Sequence, residues 1–171
     1  MIRTNKKLVN RIFLRILLLP IILIFSCKKD PADIGIGTIK VDINGTAYTF
    51  SVQSRATTLP VTGGNGIQIQ GKYKETSTTN LTLSIVRPSP ISTGTYIENN
   101  ASNPLVTITH CTEVIVPCFF QATTFGSTSN PVTITITEIT GSSIRGNFKG
   151  ELQTSPGTTE TLSNGVFYVS F

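Results

Sequence analysis

Thr38-Ile-Lys-Val-Asp-Ile-Asn-Gly-Thr-Ala-Tyr-Thr-Phe50 is the stretch that decides the fold. Ile39, Val41 and Ile43 alternate with Lys40 and Asp42, the period of two that marks a strand with one buried face. Asn44-Gly45 follows, the dipeptide best able to take the two positive φ angles of a type I′ turn, and alternation resumes at Tyr48, Phe50 and Val52. A two-residue turn sets Ile43 opposite Thr46, Val41 opposite Tyr48 and Ile39 opposite Phe50. The apolar faces coincide in that register, so the hairpin is self-consistent.

Working outward, the same alternation returns in Ile67 and Ile69, in Leu81, Leu83 and Ile85, and in Val132, Ile134 and Ile136, with Gln, Thr or Ser between. Ile144 to Leu152, a turn at Pro156 and Gly157, and a final strand to Phe171 with a bulge at Gly165 complete the pattern. No stretch carries the 3.6-residue period of an amphipathic helix. Many short strands at close spacing predict an all-β domain, an antiparallel β-sandwich or flattened barrel. Its predicted core is Ile39, Val41, Tyr48, Phe50, Ile67, Ile69, Leu81, Leu83, Ile134, Ile136, Phe148 and Phe167. Thr and Ser are abundant, and Thr suits the solvated face of a strand.

The first residues read differently. Arg3, Lys6, Lys7, Arg11 and Arg15 precede an apolar run from Ile16 to Phe25 that contains Pro20. A basic segment followed by a short apolar one is a signal peptide, since a bilayer-spanning helix needs roughly 20 apolar residues. Ile24, Phe25, Ser26 and Cys27 then resemble the lipobox of signal peptidase II substrates, with an aliphatic residue three before the cysteine and a small one directly before it. The resemblance implies removal of 1–26 and lipidation of Cys27, a tether at 27–37 and a β-sandwich over 38–171. Ser26 to Asp30 also resembles the junction of exported Gram-negative lipoproteins, which implies lipid anchoring in the cell envelope, at the outer membrane.

The leader holds five of the 14 basic residues and none of the nine acidic ones, so the remainder carries nine of each sign. No basic field is left to attract nucleic acid. Cys111 and Cys118 are expected to pair in an oxidising compartment, at about 2.5 kcal/mol for so short a loop. A metal site built on His110, Cys111 and Cys118 lacks a fourth ligand, and no cofactor is implied. Between the two cysteines Val114, Ile115 and Val116 form an apolar run where a loop tip is ordinarily polar. Either the run continues a strand against the domain, or the disulfide presents it to a protein partner.

Chemistry is sparse. His110 is the only histidine, it continues the inward phase of Val106 and Ile108, and a backbone cap at a strand end is its expected role. No Gly-x-Ser-x-Gly elbow or phosphate-binding Gly-rich loop occurs. The acids are scattered, and Glu138 with Glu151 is a pair that only the fold can bring together. Two carboxyls about 5 to 9.5 Å apart in a cleft would suggest a glycosidase-like hydrolase. An exposed Tyr73 or Tyr168 beside a shallow groove would suggest a glycan-binding accessory lipoprotein. Tyr48 is expected to face inward and Tyr96 to follow a Gly-Thr turn.

Three places, Thr38 to Phe50, Gly94-Thr95-Tyr96, and Val132 through Phe171, resemble a family of small Gram-negative lipoproteins classified as a domain of unknown function. In the last, the strand Ile134 to Ile139 leads to Gly146-Asn147-Phe148 and to Asn164-Gly165-Val166-Phe167. The resemblance implies an envelope-anchored β-sandwich and brings no catalytic residues. The expected function is a non-enzymatic binding or structural module held to a membrane by the lipid on Cys27.

Overall fold

Ile39 pairs with Phe50, Val41 with Tyr48 and Ile43 with Thr46, the register that the Asn-Gly turn dictates. Asn44 and Gly45 both have positive φ, 50° and 79°, as a type I′ turn requires. These strands, β1 (Thr38–Ile43) and β2 (Thr46–Phe50), open a domain seen in a computed structural model that describes residues 34–98, 104–112, 121–123, 129–153 and 157–171. Nine more follow: β3 (Val52–Val61), β4 (Gly64–Lys72), β5 (Asn80–Arg87), β6 (Gly94–Ile97), β7 (Leu105–Cys111), β8 (Gln121–Thr123), β9 (Thr133–Ile139), β10 (Ser143–Gln153) and β11 (Thr159–Ser170). The described residues contain no helix. The all-β expectation holds.

Hydrogen-bonded neighbours group the strands into two sheets. One runs β2–β1–β11–β10–β9–β6 and the other β3–β4–β5–β7–β8, every pair within them antiparallel. The sheets meet at two corners through single bridges, Ser170 with Arg55 and Gln153 with Thr123. That makes a sandwich with thin seams instead of a continuous barrel. The Ser170–Arg55 bridge is parallel, a departure from the purely antiparallel expectation that arises because β3 leaves its corner in the direction in which β11 arrives. The chain itself turns this corner between Phe50 and Val52. There Gln53 adopts φ 52° and the Ser54 hydroxyl donates to the Phe50 carbonyl at 2.9 Å.

One apolar cluster fills the space between the layers, joining Ile39, Phe50, Ile144 and Phe167 of the first sheet to Ile69, Leu83 and Ile108 of the second. Each such side chain contributes about 1.5–3 kcal/mol by leaving water. Eleven of the twelve predicted core residues are buried, and Tyr48 is half-buried against the same cluster. Ile34 is also buried, so the packed domain reaches back before β1 into the segment expected to be tether.

Two backbone features let the aromatic layer close. Gly146 lies against the Thr135 carbonyl oxygen, and a Cβ there would stand 2.6 Å from the Phe167 ring. The expected bulge near Gly165 is present, but the residue with positive φ is Asn164, at 53°. Register slips by one residue on both sides of it, against β1 and against β10. The Asn164 side-chain amide donates to Asp42 at 2.7 Å, which holds the left-handed residue in place.

Candidate functional site

Buried polar chemistry gathers at one place between the sheets. His110 follows Val106 and Ile108 on the inward face of β7, as its phase predicts, and is 2% exposed. Glu160 enters from β11, where it pairs with Leu152 of β10. His110 Nδ1 and Glu160 Oε2 are 2.8 Å apart, the carboxylate side chain being 18% exposed. The expected partner was a backbone group. A carboxylate takes its place because the two sheets cross here, bringing together residues fifty positions apart.

Aromatic rings pack against the imidazole. Tyr48 and Phe50 stand edge-on to the imidazole at 6.1 and 6.3 Å between centroids, and Tyr73 packs on both of them at 5.5 and 6.3 Å. Nδ1–H donating to the carboxylate fixes the ring's orientation. His110 Nε2 is buried with no hydrogen-bond partner among the described residues. A histidine oriented by a carboxylate is half of an acid–base device. Here the second ring nitrogen is buried.

The pair is therefore expected to act on stability. Glu160→Ala should lower the unfolding free energy by about 1.5–3 kcal/mol, the usual weight of a hydrogen bond to a charged group. The same change in a His110→Leu background should cost below about 0.5 kcal/mol, which a double-mutant cycle in urea reads directly. An undiminished cost in that background would mean that Glu160 works independently of the histidine.

The other concavity lies along β3 at the Ser170–Arg55 corner. One depression of about 750 Å³ is lined by Arg55 to Thr58, Thr140, Gly141 and Phe171. A second, of about 570 Å³, continues past Thr58 and Phe171 toward Leu59, Pro60, Ile91 and Ile139. Arg55 is the one ionisable side chain among the described lining residues. With its amide oxygen turned toward Arg55, Gln70 accepts from Nε at 3.1 Å and Nη2 at 3.3 Å, which steadies the guanidinium.

The fold does not join the acids singled out in the sequence. Glu138 stands opposite Arg145, whereas Glu151 accepts a hydrogen bond from Asn130 at 2.7 Å. Six residues of β10 separate these levels, roughly 20 Å. The tyrosines also lie away from the described groove lining. Tyr73 belongs to the His110 cluster with the Lys74 ammonium 5.0 Å from its ring, and Arg145 stands 5.6 Å from the ring of Tyr168. Tyr96 is buried, its hydroxyl donating to the Ser92 carbonyl at 2.7 Å and accepting from the Ser92 amide at 3.0 Å.

Cys111 ends β7, buried and engaged. Its cross-strand neighbour is Gln121 of β8. Cys27, Cys118, Val114, Ile115 and Val116 lie outside the described residues. Sequence reading found His110 but not Glu160, and it gave no sign of the groove, whose walls come from distant parts of the chain. Family models, curated proteins and solved structures contain no match to this chain.

Proposed function

We propose that this chain is an exported lipoprotein, anchored in the cell envelope through Cys27, whose sandwich serves as a non-enzymatic binding or structural module. The observation that carries the non-enzymatic reading is the burial of His110, with one nitrogen on Glu160 and the other also buried. The side chain best suited to move protons near neutral pH is committed to packing. The anchor rests on the basic and apolar leader and the lipobox-like run that ends at Cys27.

Cys111 and Cys118 form a disulfide in this reading, closing the loop between β7 and β8. The reading is supported by the six-residue spacing of the two cysteines in the sequence and by the place of Cys111 at the end of β7. The tied loop displays Val114, Ile115 and Val116 to a protein partner, and pre-organisation lowers the ordering cost of binding. Replacing all three by Ser is expected to leave the melting temperature within about 2 °C of the parent, less than the shift that 1 kcal/mol brings in a domain of this size. Recovery of partners by the lipidated protein from envelope extracts should fall. A large drop in melting temperature with recovery intact would place the run in the core and remove the binding role.

A further inference from the structure

We propose that the corner formed by Ile36, Phe171 and Arg55 lies on the lipid surface, with the two apolar side chains in the headgroup region and the guanidinium among phosphates. The inference rests on the anchoring of Cys27 and adds to it a fixed face.

Chain geometry supplies the first argument. Only Cys27 to Asp33 separate the lipid site from Ile34, where the packed domain begins. Seven residues span at most roughly 25 Å when fully extended. A domain of this length has a radius of gyration near 14 Å, so its attachment corner is held closer to the bilayer than its far side is. That corner is well defined, since the Gly37 amide donates to the Tyr168 carbonyl at 2.8 Å and brings the entering chain beside the end of β11.

Surface chemistry there suits an interface. Ile36 is 56% and Phe171 41% exposed, two of the four large hydrophobic side chains exposed among the described residues. Single exposed apolar residues need no explanation. These two sit at the same strand end, where the chain enters the domain, and beside Arg55, whose cross-strand neighbour Ser170 directly precedes Phe171. The described groove lining shared by Phe171 and Arg55 holds no carboxylate to repel lipid phosphates. Lys28 and Lys29 add cations next to the lipid site. Each contact is weak alone, but tethering makes docking intramolecular, and small gains then suffice to select an orientation.

The sequence contains no Trp, so Phe171→Trp gives the lipidated full chain one reporter. The protein is reconstituted in phosphatidylethanolamine–phosphatidylglycerol vesicles with plain or brominated acyl chains. Brominated chains should quench the indole by about half, because a ring at the headgroup–acyl boundary sits only ~5–10 Å deep. Ile36→Trp should behave alike and covers the case in which the first substitution disturbs folding. Ile97→Trp is the control, on β6 at the other edge of its sheet and exposed. Its level on β10 is that of Lys149, whereas the Phe171 amide bonds to Ser142, so about 24 Å separate them along the strands. It should keep its emission. Flotation with the vesicles, without quenching or with all three sites quenched equally, overturns the face while leaving the anchor. Failure to float overturns the anchor and this inference with it.

Discussion

Phe167→Ala is expected to lower the unfolding free energy by about 3–5 kcal/mol, the range for removing a fully buried aromatic ring. Phe167 is 0% exposed, lies 6.5 Å from the Phe148 ring between centroids, and faces Gly146, which offers no side chain to fill a hole. Its strand is hydrogen-bonded to β1 on one side and β10 on the other, so the backbone cannot collapse inward to close the cavity. Domains are stable by only about 5–15 kcal/mol in all, and this single change removes a large share. Urea unfolding should show a lower midpoint with an unchanged slope. A loss under about 0.5 kcal/mol would mean that the ring is not where the two sheets meet.

Cys27→Ser is expected to move nearly all of the protein out of the mature, membrane-bound pool, either as released domain or as unprocessed precursor. Each buried methylene contributes ~0.8 kcal/mol, so two or three acyl chains give a hold that the protein surface cannot replace. The weak contacts proposed for Ile36 and Phe171 orient an anchored domain and do not retain a free one. Fractionation with intact-mass measurement separates the outcomes. A wild-type protein that keeps residues 1–26, or carries an unmodified Cys27 thiol while remaining with membranes, would overturn the anchor.

The parts of the fold legible in sequence are those specified by near neighbours. Asn44-Gly45 determines one hairpin register by itself, and strict alternation marks β5 and β9 because each buries a single face. β3 was illegible for a physical reason. Bonded to β11 only at Arg55 and to β4 along its length, it fully buries only Ala56, and it tolerates Pro60, which a strand paired along both sides would not. Gly165 marks the bulge in the sequence, while the unusual backbone angle belongs to Asn164, whose amide finds Asp42 across the sheet. Glu160 and the groove around Arg55 and Phe171 depend on contacts between distant segments, about which local patterning carries no information.

The strand order bears on when this domain can fold. β1, the first described strand, lies between β2 and β11, the last. Its outer partner is available as soon as the hairpin emerges, but its inner one is made of residues 159–170. Closing so long a loop is entropically slow, and until it closes Ile39, Val41 and Ile43 lack one of their flanking strands. For a chain exported as proposed, passage from the amino end would thus leave the domain incompletely folded, and the sheet that holds β1 would be finished only after β11 has crossed.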